Sequence, residues 1–183
     1  MITILTGPIG GGKTTFLRSV VIRLGAGQIP FDGYLSERVL EGGELRGYNL
    51  ADLRTGVRLP FLRRSGPREW PAVGQFVMDP NGLAAAERII ARGLPADLLI
   101  LDELGRLENE GRGVWPVACP VLADSGRDSL VVIREGLLDS YRSRWESEGV
   151  PVRTVCVTDT ADSENFLREL TTVAGKPDVG IRA

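Results

Sequence analysis

Short apolar runs alternate along this chain with longer stretches in which apolar residues recur every three or four positions. The first kind reads as buried strand and the second as amphipathic helix. Residues 1–6 form the first such strand. A helix-compatible run starts at Lys13 and gives way to a loop at 25–30. Residues 31–39 and 44–53 read as two strands of a hairpin joined near Glu41-Gly42-Gly43, with further short strands at 58–63 and 75–78. A helix is predicted over 80–92, with Asp79 as its N-cap, Pro80 at its first position and Gly93 as its stop. Residues 96–103 form a strand of large apolar residues ending in two acids, and 104–109 a loop. A helix at 114–123, bent at Pro120, precedes a strand at 129–134. A helix at 137–147, a strand at 152–157, a helix at 163–173 and a loose tail from Gly175 complete the chain. This alternation predicts a three-layer α/β fold whose mainly parallel central sheet is extended by antiparallel strands. The 183 residues are expected to form one domain, with a hairpin-rich segment at 31–79 inside it.

Chemistry enters where the first strand stops. Gly7-Pro8-Ile9-Gly10-Gly11-Gly12-Lys13-Thr14 satisfies the spacing G-x-x-x-x-G-K-[ST] in its strand–loop–helix setting. Glycines let successive N–H groups converge on one anion, and the helix that follows adds its free amides and positive dipole end. A turn that only joined a strand to a helix would have no use for three consecutive glycines. Gly7 to Thr15 are therefore assigned to a nucleoside triphosphate: Lys13 to the β- and γ-phosphates, Thr14 to Mg²⁺, and Thr15 to the α-phosphate.

Asp102 and Glu103 end the apolar run Leu98-Leu99-Ile100-Leu101. Asp102 falls at the Walker B position and is assigned to Mg²⁺. Glu103, the next residue, is the candidate base that deprotonates an attacking water. The chain has no histidine, so a carboxylate is the natural base near neutral pH. Arg134 ends the next strand, where a sensor of the γ-phosphate would sit.

These motifs resemble the thermophile-type nucleoside-triphosphatases, known in vertebrates as cancer-related nucleoside triphosphatases. Residues Thr6 to Thr15 look like that family's first motif, and Asp102-Glu103-Leu104-Gly105-Arg106-Leu107-Glu108 like its D-E-[IL]-G-[KR]-[ML]-E signature. Gly33-Tyr34-Leu35-Ser36-Glu37-Arg38 and Arg46-Gly47-Tyr48 look like its hairpin, and Val73-Gly74-Gln75-Phe76 like the segment before its middle helix. The likeness spans residues 1–135. It implies a RecA-like sheet and slow, Mg²⁺-dependent hydrolysis of several nucleoside triphosphates, ATP and GTP among them. Arg106 falls on a motif position, whereas Glu108 is expected to order its loop. The family hairpin carries an acid, an apolar residue and then a base. Here Glu37 and Arg38 are adjacent, so no role is carried onto either.

Bulk properties narrow the partners. A net charge of −2 without a basic run argues against nucleic acid. No segment has the length of a membrane span, and the first apolar stretch is too short for a signal peptide; a cytoplasmic protein is the expectation. Cys119 and Cys156 lack metal-ligand spacing and are expected to be reduced and buried. Trp70, Trp115 and Trp145 are assigned to packing. No Asn-Lys-x-Asp run is present to read guanine, so broad base tolerance is expected. Two other functions remain open: a kinase, with the loop 63–68 as its lid, and a nucleotide-gated interaction module whose protein partner meets the region 31–64.

Overall fold

The computed structural model describes residues 1–92, 98–124 and 126–173. In chain order the elements are β1 (Ile2–Thr6), α1 (Lys13–Ala26), β2 (Phe31–Glu41), β3 (Glu44–Asp52), β4 (Arg58–Arg63), β5 (Ala72–Val73) and β6 (Phe76–Met78). They continue as α2 (Pro80–Ala91), β7 (Leu98–Leu104), α3 (Arg106–Asn109), α4 (Trp115–Ala123), β8 (Asp128–Ile133), α5 (Leu138–Ser147), β9 (Val152–Cys156) and α6 (Thr160–Val173). Ala96 and Asp97, expected to open β7, lie outside the described residues, as do Gly93 and the tail from Gly175.

One nine-stranded sheet runs in the order β5-β6-β4-β3-β2-β7-β8-β1-β9. From β2 to β9 every neighbouring pair is parallel; from β2 outward to β5 every pair is antiparallel. Alternate residues of the parallel strands feed two cores. Ile2, Ile4, Leu99, Leu101, Val131 and Ile133 pack with α2, α4 and α5. Leu5, Ile100, Leu130, Val132 and Val155 pack on the other face with Leu17, Val20 and Leu24 of α1 and Phe166 of α6. A strand buried on both faces needs apolar residues at every position, which is why its sequence is an unbroken run.

Boundaries moved in a few places. Helix α1 continues through Gly25 and Ala26, and its cap is Gly27. The loop expected after Glu103 is instead the end of β7 and the single-turn helix α3, whose cap is built by Glu108. A 3-10 turn, Glu135–Leu137, precedes α5, and α6 starts three residues earlier than expected. Asp79 caps α2 as predicted, accepting from Asn81 N at 2.9 Å. Pro120 lies inside α4. Trp115 and Trp145 are core residues, while Cys119 and Cys156 are free and only half-buried, a departure from the burial expected. No helix among the described residues is long and apolar enough to cross a membrane.

Arg92, at the end of α2, ties that helix to both strands of the β2–β3 hairpin. It donates to Asp32 Oδ2 at 2.8 Å and to both carboxylate oxygens of Asp52 at 2.8 and 2.9 Å. Asp32 is buried, so the pair matters chiefly because an unpaired charge there would be costly. The Arg92 guanidinium holds the Asp52 carboxyl well below the usual carboxylate range.

Candidate active site

The chain leaves β1 through the phosphate loop and enters α1 at Lys13. Gly12 stands at the helix N-cap with φ of 81°, and Gly10 in the loop has φ of 77°. A side chain would be strained at both. The Lys13 ammonium is buried and donates to the carbonyls of Gly7 and Pro8, each at 2.8 Å. Two carbonyls thus aim the lysine and leave one N–H for an anion. Gly7 and Pro8 serve the site through these carbonyls. Ile9, Gly10, Gly11, Gly12, Lys13, Thr14 and Thr15 line the cleft directly.

Strand β8 lies between β1 and β7, so the phosphate loop and the acid pair flank a gap one strand wide. Crevices at the carboxyl ends of parallel strands are where such sheets bind ligands. Asp102 is buried at the end of β7. Its Oδ1 accepts from the Thr14 hydroxyl at 3.4 Å and its Oδ2 from Ser36 N at 3.2 Å; the Ser36 hydroxyl donates to the Asp102 carbonyl. Burial pushes the Asp102 carboxyl up to about 7, with the Glu103 charge adding to the rise, while Ser36 N–H and Thr14 oppose it. The Asp102–Glu103 peptide is cis. The Glu103 Oε1 accepts from the Arg134 Nε, joining the end of β7 to the end of β8.

The cleft has a volume of about 350 Å³. It brings together the phosphate loop, Asp102, Glu103 and Arg134, all selected from the sequence, and adds Ser36, Arg38, Leu45 and Tyr48 from the β2–β3 hairpin. Ser36, Arg38 and Tyr48 fall in the hairpin segments that resemble the family, but the sequence assigned a site role to none of the four. Arg106 does not line the cleft. Glu108 turns away to cap α3, accepting from Gly105 N at 2.9 Å and Val114 N at 3.4 Å, and burial raises its carboxyl. Glu37 faces elsewhere, paired with Arg18 at 3.3 Å and Arg58 at 2.6 Å.

Whether these residues suit Mg²⁺ can be judged from the donors. A hydroxyl and a buried carboxylate oxygen meet at 3.4 Å, both hard oxygen donors. Among the described residues no three His, Cys, Asp or Glu side chains cluster as a metal cage. Mg²⁺ is commonly held in this way, by one or two protein oxygens together with phosphates and water.

Fold and cleft together define a P-loop nucleotide-binding protein of the α/β class. A family model described as NTPase matches residues 2–162. The nucleoside-triphosphatase THEP1 of Thermofilum pendens is 31% identical over 160 residues, covering 85% of each chain. The solution structure of a human cancer-related nucleoside triphosphatase superposes with a TM-score of 0.69 at 25% identity, covering 94% of this chain and 96% of that one. The crystal structure of THEP1 from Aquifex aeolicus gives a TM-score of 0.68 at 18% identity, covering 96% of this chain and 100% of that one, and speaks for the fold. The chain belongs to the NTPase family: it is a nucleoside-triphosphatase.

Proposed function

We propose that the protein hydrolyses nucleoside triphosphates to the diphosphate and phosphate in a Mg²⁺-dependent reaction of broad base tolerance, and that the cleft at the end of β1, β7 and β8 is its active site. The observation that carries this reading is the convergence of Lys13, Thr14, Asp102 and Glu103 on one cleft from two strands that are not neighbours.

Thr14 and Asp102 would hold Mg²⁺. That ion, when bound, would neutralise charge on the phosphates. Lys13 and the loop amides orient the β- and γ-phosphates. Glu103 accepts a proton from the water that attacks the γ-phosphorus. The bond from phosphorus to the bridging oxygen breaks, and its electron pair stays on the diphosphate beside Lys13. Arg134 supplies positive charge to the phosphoryl group in transit. Ser36 positions Asp102 through two hydrogen bonds. Broad tolerance of the base fits a cleft whose polar lining is the phosphate loop with acids and arginines.

The test is a panel of nucleoside triphosphates assayed for free phosphate, with Mg²⁺ or with EDTA, and with or without hydroxyl acceptors. Several substrates should release phosphate with Mg²⁺ alone. Release from one nucleotide only would refute the breadth; release unaffected by EDTA would refute the metal. Phosphate found solely on an acceptor would make the protein a kinase.

A further inference from the structure

The β2–β3 hairpin outruns the parallel sheet. Strand β2 pairs with β7 only from Phe31 to Tyr34, yet its pairing with β3 continues to Glu41. The overhang beyond Tyr34 walls one side of the cleft. Ser36 and Arg38 are two residues apart and so share one face of the strand, spaced by about 7 Å. The Ser36 hydroxyl donates to the Asp102 carbonyl, which turns that face toward the Asp102 end of the cleft. Glu37, between them, turns the other way to Arg18 and Arg58.

Among the described residues three cations line the cleft: Lys13, Arg38 and Arg134. Lys13 is bonded to two carbonyls and Arg134 to Glu103. The exposed Arg38 side chain makes no hydrogen bond or ion pair among the described residues, and the nearest acid in sequence, Glu37, is already engaged. Tyr48, its cross-strand partner, also lines the cleft and is fixed by an edge-on contact with Phe76 at 5.5 Å between ring centroids. A guanidinium on a rigid hairpin, beside the carboxylate that would carry the metal and with its donors unspent, is suited to bind phosphate oxygens.

Its position decides which phosphate. The hairpin meets the cleft at Asp102, through Ser36, and Asp102 is followed by Glu103, the group assigned to the water that attacks the γ-phosphorus. Arg38 shares that cleft with Glu103 and Arg134 and stands two residues along β2 from Ser36. We propose that Arg38 binds the terminal phosphate of the nucleotide and is the residue by which the protein distinguishes a nucleoside triphosphate from a diphosphate. This assignment rests on the triphosphate seat proposed above.

The experiment titrates a non-hydrolysable β,γ-imido ATP analogue and ADP, each with Mg²⁺, into the wild type and the R38A, R38K and K13A variants. R38A should lose about ten- to a hundredfold in affinity for the triphosphate analogue while its ADP affinity stays within about twofold. R38K should recover only part of the loss, because an ammonium cannot present a planar fork of donors. The side chain is exposed, so thermal melting of R38A should match wild type and exclude misfolding. Equal losses for both nucleotides would mean a contact nearer the nucleoside or a general field effect, and would overturn the proposal. No loss for either would overturn it too. K13A separates the two layers: if K13A binds poorly and R38A binds normally, only the Arg38 assignment falls. If K13A binds both nucleotides as wild type does, the seat itself is wrong.

Discussion

Arg134 donates its Nε–H to the Oε1 of Glu103 across the head of the cleft, joining two strand ends 31 residues apart. One group is assigned to deprotonate water and the other to stabilise the phosphoryl group it attacks. Each holds the other in reach of the same space. Both side chains are partly exposed, so the pair contributes little to stability and its consequence is positional.

Glu103→Gln should therefore bind triphosphate within a few-fold of wild type and lose about 10²- to 10⁴-fold in turnover. Thermal melting should barely move. Single-turnover phosphate release measures the first effect, and turnover within a few-fold of wild type would remove Glu103 as the base.

Lys13→Ala should weaken triphosphate binding by about a hundredfold, since a charge-assisted contact to phosphate is lost. The Gly7 and Pro8 carbonyls would lose their donor as well, which loosens the loop. Fluorescent-nucleotide titration tests this; an unchanged dissociation constant would take the loop out of the site.

Asp102 links pH to stability. Its carboxyl ionises at an ordinary value of 3.8 when unfolded and at about 7 when buried. Between those values the folded protein binds the extra proton, so stability should fall as pH rises through this window and level off above it. The slope from this group is on the order of 1 kcal/mol per pH unit. Glu108 is shifted in the same direction, so Asp102→Asn should flatten the slope without abolishing it. Urea unfolding of both proteins in EDTA at pH 5 and pH 7.5 measures the difference. Identical slopes would show that burial does not shift Asp102.

Gly33→Ala should destabilise by about 3 kcal/mol or more. Gly33 has φ of 129°, and a Cβ there would sit 1.8 Å from the carbonyl oxygen of Ile100, inside the pairing of β2 with β7. Gly42→Ala, at the hairpin tip with φ of 57° and open space around it, should cost about 1 kcal/mol. Urea midpoints of the two variants provide the comparison; equal costs would mean that β2 can shift off β7 without penalty.

The phosphate loop was legible because its chemistry is local. Glycines, lysine and threonine act through backbone that is contiguous in the chain, so spacing alone specifies the shape. The strands were legible for a related reason: burial on both faces demands unbroken apolar runs such as Leu98–Leu101. Glu108 orders its loop as expected, but the turn of helix α3 was missed because it depends on that carboxylate reaching back to Gly105 N, a geometry that spacing does not announce. The half-burial of Cys119 and Cys156 was equally unreadable, since exposure depends on what packs alongside.

The family likeness left Arg38 without a role because adjacent residues of a strand face opposite ways. Only the parity that starts at the Ser36 hydroxyl and its bond to Asp102 tells which way Arg38 points. Sequence by itself determined the anion-binding loop, the acids at the end of β7 and the α/β alternation, all of them properties of neighbouring residues. Tertiary structure alone decided that β8 separates β1 from β7, that Arg134 meets Glu103 and that the hairpin closes one side of the cleft. Strand order and side-chain parity across non-adjacent strands are set by long-range packing of two cores, and no local pattern encodes them.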